Sequence, residues 1–205
     1  MKINKFISFE GIDSSGKTTQ INILKKKLED LNFKVLVLRE PGGIDVAESI
    51  REIILNNDYN ISRECEMLLF LSARAELVDK VIKPALLDDS FVICDRFVDS
   101  TLAYQGYGRK IDLNLINNLN SFVTKSILPS KSFFLDIDPT LMDERQNIND
   151  NDRMENSGKI FFKNVRNGYL EISKNDKRFV KIDASKSIEH ISKEIWNQMN
   201  IFLGN

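Results

Sequence analysis

The sequence predicts an α/β fold in which a parallel five-stranded sheet is flanked by helices in three layers. Five short apolar runs alternate with amphipathic helical segments along the chain, and each run has the length of a buried strand. Strands that alternate with helices pair in parallel, because each crossover helix returns the chain to the same end of the sheet. A glycine-rich loop between the first strand and the first helix predicts where such a sheet binds its ligand.

Length and composition indicate a single globular domain, residues 1–205, that can bury a sizeable core. The net charge of −1 argues against a nucleic-acid partner, which usually selects a basic surface. No apolar run is long enough to cross a bilayer, and the first strand begins too early to leave room for a signal peptide, so we expect no membrane partner. Cys65 and Cys94 stand among apolar residues and are predicted to be reduced core residues of a cytoplasmic protein.

The first predicted strand, residues 6–9, leads into a loop that fits G-x-x-x-x-G-K-[S/T] without a mismatch. A helix is predicted directly afterwards, with Ile21, Leu24, Leu28 and Leu31 on one face. A chance match in an unrelated turn is the alternative, but the strand before the loop and the helix after it favour a phosphate-binding loop of the P-loop NTPase type. The loop residues are Gly11, Ile12, Asp13, Ser14, Ser15, Gly16, Lys17 and Thr18.

The chemistry of this loop is anion binding. Gly11 and Gly16 permit backbone angles that turn successive N–H groups towards a phosphate, and the positive end of the helix dipole lies at the same place. Lys17 can reach the outer phosphates, and the hydroxyl of Thr18 can bind magnesium. The loop therefore predicts a nucleoside triphosphate ligand.

The second predicted strand, residues 35–38, ends in a proline- and glycine-containing loop. Open parallel sheets bind ligands at the carboxyl ends of their strands. A simple turn is the alternative, but the charged pair Arg39 and Glu40 favours a functional loop. A helix with Val46, Ile50, Ile53 and Ile54 in helical spacing follows, and Arg51 lies on another face.

A longer helix is predicted over residues 62–87, with a core stripe of Leu71, Ala75, Val78 and Ile82 and with Pro84 as a kink or an end. Phe70 and Arg74 are four residues apart and share another face of this helix. An aromatic ring and a guanidinium together can hold a nucleobase and an anionic group. Spacing alone favours the alternative, in which Phe70 packs in the core and Arg74 is solvated.

The third predicted strand, residues 91–94, ends in Asp95 and Arg96. An aspartate in this position is the usual partner of a phosphate loop, because its carboxylate can hold magnesium or the water around it. An ordinary surface ion pair is the alternative. The polar, aromatic and glycine-containing stretch 97–109 is typical of a binding segment.

The rest of the chain completes the alternation. A helix is predicted around Leu113, Ile116 and Leu119, and a fourth strand covers residues 133–136. The hydrophobic pattern then disappears over residues 139–158, which predicts a mobile polar lid, about 140–160. A helix (160–172), a fifth strand (179–183) and a closing helix follow, and His190 in the last helix is predicted to be solvated. The stripe of the closing helix is Ile188, Ile191, Ile195, Met199 and Phe202.

Taken together and in this order, five short blocks resemble bacterial thymidylate kinases over nearly the whole chain. They are F-E-G-I-D-S-S-G-K-T-T, R-E-P-G-G, F-L-S-A-R, D-R-F and A-Y-Q-G. The resemblance implies phosphoryl transfer from ATP to dTMP with Mg²⁺, a five-stranded parallel sheet with an arginine-bearing lid, and a homodimer. Such chemistry needs cations and alignment rather than a strong nucleophile, so the lack of a histidine base is no objection.

The resemblance also assigns roles to individual residues. It implies that Lys17 contacts the transferring group, that Asp13 accepts a hydrogen bond from the 3′-hydroxyl of dTMP, and that Arg96 bridges donor and acceptor. It implies a metal site at Thr18 and Asp95, with Glu40 supporting it. The remaining implied contacts are Phe70, Arg74, Thr101, Tyr104 and Gln105 for the thymine and the sugar, Arg39 and Arg51 for the monophosphate, and Ala184 and Ser185 for adenine.

The lid departs from the family pattern. Family members without an arginine in the phosphate loop carry several basic residues in the lid, and this loop has Ser14 and Ser15 instead. The lid offers only Arg145 and Arg153 among many acidic residues. Our hypothesis is that Arg153 is the main catalytic lid arginine and that Arg145 is the second.

Two rival interpretations remain open at this point. One is a kinase of the same fold that acts on another deoxynucleotide or a small metabolite. The other is a GTP-dependent switch, which needs an N-K-x-D signature. The nearest approach to it here is the S-K-N-D of residues 173–176, which follows a helix rather than a strand, and no D-x-x-G follows the third strand.

Overall fold

The computed structural model describes residues 4–142 and 152–204. Five strands form one sheet in this part of the chain: β1 (Phe6–Glu10), β2 (Val35–Arg39), β3 (Phe91–Asp95), β4 (Lys131–Asp136) and β5 (Phe179–Asp183). Every pair of neighbours is parallel, and the spatial order is β2-β3-β1-β4-β5. The predicted parallel five-stranded sheet is confirmed.

Helices connect the strands. They are α1 (Lys17–Asp30), α2 (Asp45–Leu55), α3 (Arg63–Leu77), α4 (Lys83–Leu87), α5 (Val98–Thr101), α6 (Leu113–Thr124), α7 (Lys159–Asn175) and α8 (Ile188–Leu203). Val78–Ile82 and Leu102–Gly108 are π-helical, and Pro139–Leu141 and Glu155–Ser157 are single turns of 3₁₀ helix. Within the two described ranges, no helix is both long enough and apolar enough to span a membrane.

The core lies on both faces of the sheet. Neighbouring residues of a strand point to opposite faces, and in β1 and β3 they join different hydrophobic clusters. Ile7 and Ile93 belong to the cluster that includes Leu24 of α1 and Ile195 of α8. Phe6 and Val92 belong to the cluster that includes Leu77, Val78 and Ile82. This division produces the predicted layers of helix, sheet and helix.

The carboxyl ends of the strands form one charged edge. In the parallel register Asp95 lies beside both Phe9 of β1 and Arg39 of β2, and Asp136 lies beside Asp183. Each described strand ends in a charged residue: Glu10, Arg39, Asp95, Asp136 and Asp183. The loops that follow therefore start from a polar edge.

The long helix predicted over residues 62–87 is interrupted. α3 passes through the π-helical segment Val78–Ile82 into α4, and Pro84 is the second residue of α4. Proline is tolerated in a first turn because the N–H group it lacks would have no helical partner there. Leu71, Val78 and Ile82 are buried as predicted, whereas Ala75 is only half-buried.

Several residues predicted to be buried face solvent. Val46 and Ile53 are 53% and 42% exposed, because α2 buries a narrow stripe through Ala47 and Ile54. Leu31 lies just beyond α1 and is 46% exposed.

The two cysteines differ. Cys94 is buried in β3, as predicted, but the prediction of a core position for Cys65 is wrong, since it faces solvent in the first turn of α3.

The strand β2 is at the edge of the sheet and is half-buried over residues 35–37, because it has a neighbour on one side only. In α8 the predicted stripe is buried at Ile191, Ile195 and Met199 but exposed at Ile188, and His190 is exposed, as predicted.

Candidate active site

The phosphate loop connects β1 to α1 in the context the sequence predicts. Gly11, Ser14 and Gly16 have φ angles of 140°, 59° and 89°, so the backbone turns repeatedly through conformations that favour glycine. A side chain at Gly11 would place its Cβ 2.7 Å from the carbonyl oxygen of Leu135. Gly16 precedes the first residue of α1 and no side chain caps that helix. The first N–H groups of α1 can therefore bind an anion.

Lys17 points back over this loop. Its Nζ donates to the carbonyl oxygens of Ile12, at 3.0 Å, and Gly11, at 3.4 Å, and its side chain is buried. Burial and then the charge of Arg96 lower the pKa of Lys17. The loop residue Ser15 has a buried Oγ without a hydrogen-bond partner in the described part of the protein. Lys17 lines a cavity together with Ser14, Gly16 and Thr18 of the loop, and this cavity is here named the phosphate cavity.

The two residues predicted to hold the metal lie together at one side of the phosphate cavity. Thr18 Oγ1, in the first turn of α1, donates to Oδ2 of Asp95 over 3.3 Å. Both residues line the phosphate cavity. A hydroxyl and a single carboxylate fit Mg²⁺ that is shared with substrate phosphates, since this ion keeps several waters and needs few protein ligands. No cluster of three or more His, Cys, Asp or Glu able to hold a metal occurs in residues 4–142 and 152–204.

Arg96 joins β3 to the phosphate loop. Its φ angle is 71°, an uncommon value for a residue with a side chain. Nη1 donates to the carbonyl oxygen of Gly11 over 2.7 Å, Nη2 donates to Oδ1 of Asp13 over 2.6 Å, and the guanidinium lies 4.9 Å from the ring centre of Tyr104. The Tyr104 hydroxyl donates to Oδ2 of Asp13 over 3.2 Å. Burial tends to raise the pKa of Asp13, but the charges of Arg96 and Lys17 outweigh it and the pKa is lowered.

A second cavity, here named the acceptor cavity, is lined by the residues predicted to contact a nucleotide base and sugar. Phe70 and Arg74 reach it from α3, Thr101 from α5, and Tyr104 and Gln105 from the π-helical segment Leu102–Gly108. Residues 98–108 of the predicted binding segment are therefore a helical wall of the cavity. The structure brings these five predicted residues together.

Arg74 is buried and paired with groups of the protein, in contrast to the solvated side chain that spacing alone favoured. Its Nε and Nη2 lie 2.7 and 2.6 Å from Oε2 of Glu40. Nη1 donates to Oγ1 of Thr101 and Oδ1 of Asn120, and Nη2 also donates to the carbonyl oxygen of Phe97. The guanidinium therefore donates four hydrogen bonds within the protein, in addition to the ion pair of Nη2 with Glu40. The predicted contact of Arg74 with a base edge stays a prediction.

Glu40 is the acidic partner of Arg74. Burial raises the pKa of its carboxyl group, which the charge of Arg74 and the hydrogen bond from it partly offset. Its second oxygen, Oε1, is buried without a hydrogen-bond partner among the described residues, and Glu40 lines both cavities. Glu40 can therefore accept a further hydrogen bond at the place where the cavities meet.

The two cavities share a wall. The residues that line both are Asp13, Glu40, Arg51, Arg96 and Glu155. Arg51 donates from Nη1 to the carbonyl oxygen of Pro41 over 3.0 Å, and Arg39 is held by Glu48 at the side of the phosphate cavity. A phosphate in one cavity and a second anionic group in the other would meet among these arginines. This arrangement suits transfer of a group between two bound molecules.

The predicted adenine-contacting residues lie at the far side of the sheet edge. Ser185 lines a third cavity at the carboxyl ends of β4 and β5. Its Oγ donates to Oδ1 of Asp183, and the N–H group of Ala184 donates to the carbonyl oxygen of Asp136. Their role towards adenine stays a prediction.

The structure does not bring Arg153 into either cavity lining. Nη2 of Arg153 lies 2.7 Å from Oε2 of Glu66, and Nε donates to the carbonyl oxygen of Ile54 over 2.7 Å. Of the described residues around this segment, Asp152, Met154 and Glu155 line the acceptor cavity instead. Contact with a transferring group would require Arg153 to leave Glu66. Arg145 lies outside the described residues.

Sequence patterns did not mark Glu66, Arg109, Glu10 or Tyr169 as site residues. Glu66 stands four residues before Phe70 and eight before Arg74, and this helical spacing is the signal that would have revealed it. Glu10 ends β1 and accepts hydrogen bonds from the N–H group of Phe97, the Ser100 hydroxyl and the Tyr169 hydroxyl. Burial raises the pKa of Glu10 to about 7.

Comparison with known proteins agrees with this geometry. Residues 9–195 match the family model described as thymidylate kinase. The chain belongs to the thymidylate kinase family. It is 48% identical to a thymidylate kinase of Thermosipho africanus over 190 residues, which are 93% of this chain and 94% of that protein.

Further relatives lie in other bacteria. The chain is 43% identical to a thymidylate kinase of Kosmotoga olearia over 193 residues, which are 93% of this chain and 92% of that protein. The crystal structure of thymidylate kinase from Ehrlichia chaffeensis superposes with a TM-score of 0.78 at 35% identity, over 95% of this chain and 97% of that one. The similarity to thymidylate kinases, in sequence and in fold, therefore extends over nearly the whole chain.

Proposed function

We propose that this protein phosphorylates dTMP to dTDP with ATP and Mg²⁺, for dTTP synthesis. The observation that carries the proposal is the shared wall of the two cavities, which places the phosphate loop on one side and Phe70, Tyr104 and Gln105 on the other. Membership of the thymidylate kinase family supports the choice of substrate.

The residues of the phosphate cavity bind the phosphates of ATP and neutralise their negative charge. The N–H groups of the loop and the start of α1 hold the ATP phosphates, and Lys17 neutralises negative charge on the phosphoryl group during its transfer. Thr18 and Asp95 would hold Mg²⁺, which supplies charge neutralisation between the outer phosphates when it is bound. Ala184 and Ser185 contact the adenine.

The residues of the acceptor cavity orient the monophosphate. Phe70 stacks on thymine, and Arg74, Thr101 and Gln105 fix its edge. Tyr104 lies under the sugar and disfavours a 2′-hydroxyl. Asp13, which stays ionised because its pKa is low, accepts the 3′-hydroxyl.

The arginines at the junction complete the alignment. Arg96 bridges the two substrates, while Arg39 and Arg51 hold the monophosphate and Glu40 supports the metal network. Since phosphoryl transfer is mostly alignment and charge neutralisation, this set of cations needs no separate nucleophilic residue.

Two further features belong to the proposal. The enzyme works in the cytoplasm, which is supported by the unpaired thiols of Cys65 and Cys94. It forms a homodimer, which is supported by exposed apolar side chains on two contacting helices, Leu68 on α3 and Leu115 and Phe122 on α6.

A coupled assay for ADP release tests the reaction. Purified protein with ATP and Mg²⁺ receives each nucleoside monophosphate in turn. We expect rapid ADP formation with dTMP, weak formation with dUMP and almost none with ribonucleotides. Equal activity with another monophosphate would refute the thymine assignment but would still support a kinase. Slow ATP hydrolysis at the same rate with every monophosphate would refute the kinase assignment.

A further inference from the structure

A buried carboxylate lies behind the acceptor cavity and holds two of its walls. Glu66 is 1% exposed and its four-residue spacing places it on the same face of α3 as Phe70 and Arg74. Oε1 accepts from Nε2 of Gln105 and from Nε of Arg109, both over 3.0 Å. Oε2 accepts from Nη2 of Arg109 over 3.1 Å and lies 2.7 Å from Nη2 of Arg153.

Arg153 and Arg109 connect Glu66 to residues 152–157, here named the wall segment. Arg153 belongs to that segment, and its backbone N–H group donates to the carbonyl oxygen of Leu55 at the end of α2. Arg109 donates from Nη2 to Oγ of Ser157 over 3.0 Å, and its guanidinium lies 4.3 Å from the ring centre of Phe161. The wall segment is therefore fixed from both of its ends.

The wall segment contributes directly to the acceptor cavity. Met154 is buried, and Asp152, Met154 and Glu155 line the cavity. Oδ1 of Asp152 accepts from the N–H groups of Met154 and Glu155, so the segment forms a tight local turn. The position of these side chains thus depends on how the turn is anchored.

We propose that Glu66 is a positioning residue for the monophosphate and that Arg153 is its anchor in the wall segment rather than a ligand of the transferring phosphoryl group. This inference rests on the proposed function and deepens it. Glu66 touches Gln105 on one wall of the cavity and Arg153 on the other, so one carboxylate sets the spacing between the two walls.

The energetics fit an anchor. A charge in this position is costly unless it is paired, and Glu66 has three partners around its two oxygens. The pKa of Glu66 is lowered although burial opposes this, because the hydrogen bonds from Arg109 and Gln105 favour the ionised form. Removal of Arg153 leaves Glu66 paired with Arg109, so Arg153→Ala is expected to keep the fold.

The test compares Arg153→Ala, Glu66→Gln and the double variant with wild-type protein. Glu64→Gln is the matched control, because Glu64 is an exposed glutamate on the same helix and pairs only with Arg63 among the described contacts. For both single variants we expect the KM and the Kd for dTMP to rise about tenfold or more, which corresponds to about 1.4 kcal/mol. We expect kcat and the KM for ATP to stay within about threefold of the wild-type values. In the double variant, the loss of affinity for dTMP should be smaller than the product of the two single losses.

Three results would overturn the proposal. A loss of kcat in Arg153→Ala by a hundredfold or more, with an unchanged Kd for dTMP, would make Arg153 a ligand of the transferring group. If the variants had the wild-type KM for dTMP and differed only in a smaller fraction of active protein, Glu66 would have a general structural role. The same would follow if the KM effects of the two single variants multiplied in the double variant. If Glu66→Gln does not fold, Arg153→Ala and Arg153→Lys decide alone, with the lysine expected to restore part of the affinity.

The outcome is separable from that of the proposed function. If wild-type protein ignores dTMP but uses another monophosphate, the substrate assignment fails and the same comparison is made with that monophosphate. If it turns over no monophosphate, both proposals fail. If wild-type protein is active on dTMP and the variants match it in KM and Kd, only the anchor fails.

Discussion

Nη2 of Arg96 lies 2.6 Å from Oδ1 of Asp13, and this ion pair joins the end of β3 to the phosphate loop. Both residues line both cavities. The pair is only partly exposed, with 16% of the Arg96 side chain and 27% of the Asp13 side chain accessible, so solvent screens it less than a surface pair. Arg96, like Arg51, therefore lies where the two cavities meet.

Arg96→Lys is expected to lower kcat/KM by about 10²- to 10³-fold, because an arginine that stabilises a transferring phosphoryl group contributes on the order of 10³-fold or more. An ammonium cannot hold Gly11, Asp13 and a phosphate in one plane. Steady-state assays with dTMP check this. Arg63→Lys, at an exposed arginine beside Glu64, is the control, and a loss below tenfold at Arg96 would contradict the assignment.

Asp95→Asn is expected to raise the Mg²⁺ concentration needed for half-maximal rate by about 10- to 100-fold, the usual cost of losing a carboxylate that orients metal ligands. Thr18 would keep a hydrogen-bond partner, so the fold should persist. Titration of the rate with Mg²⁺ at saturating ATP measures the change. Asp88→Asn, at an exposed carboxylate that pairs with Lys34, should not alter the titration.

Phe70→Ala is expected to raise the KM for dTMP about tenfold, since stacking of a base on an aromatic ring contributes about 1–3 kcal/mol. The KM for ATP should be unchanged, because Phe70 lines only the acceptor cavity of the two that meet at Arg96. Tyr59→Ala, at a 51% exposed ring outside both cavities, is the control. An equal rise in both KM values would argue against stacking.

Glu10→Gln is expected to change how stability depends on pH. Burial raises the pKa of Glu10 from 4.5 to about 7 in the folded protein. The folded state therefore holds this proton more tightly than the unfolded chain does, and the free energy of unfolding falls as the pH rises from about 4.5 to about 7, by at most about 3 kcal/mol.

Because glutamine does not titrate, this fall should be missing from Glu10→Gln. The wild-type free energy of unfolding minus that of the variant should therefore decrease as the pH rises from about 4.5 through 7, and become constant only about one unit above the folded-state pKa. Denaturant unfolding at each pH measures the difference, and subtraction removes the effect of other carboxylates. A difference that increases with pH would mean that the pKa of Glu10 is lowered instead.

Gly168→Ala is expected to destabilise the protein by about 1–3 kcal/mol, the usual cost of overpacking. An added Cβ would lie 2.7 Å from Cβ and Cγ of Tyr107, where α7 packs against the helical wall of the acceptor cavity. Asn167→Ala, at the exposed neighbouring position, is the control for helix propensity. Thermal unfolding of both variants without ligand gives the comparison, and equal melting temperatures would contradict this packing.

Much of the site could be predicted because its parts are local. The phosphate loop needs only the strand before it and the helix after it, and Asp95 and Arg96 follow directly from the end of a buried strand. Phe70 and Arg74 could be predicted to lie on one face of a helix because they are four residues apart. In each case a few neighbouring residues carry the whole signal.

Other features depend on segments that are distant in the chain. Arg74 is buried because Glu40, Phe97, Thr101 and Asn120 converge on it from three separate segments, with Phe97 and Thr101 both at α5. The exposure of Cys65 also depends on which side of α3 faces the protein. A one-dimensional pattern identifies a charged side chain but does not show which partners allow it to be buried.

The sequence by itself determined the order of strands and helices, the phosphate loop and the family, because these are encoded in runs of neighbouring residues and in their spacing. Only the tertiary structure decided that Glu66 holds Gln105, Arg109 and Arg153 together, and that the two cavities meet at Arg96. These relationships span up to 87 residues, between Glu66 and Arg153, and arise only when the sheet and its helices bring those segments into contact.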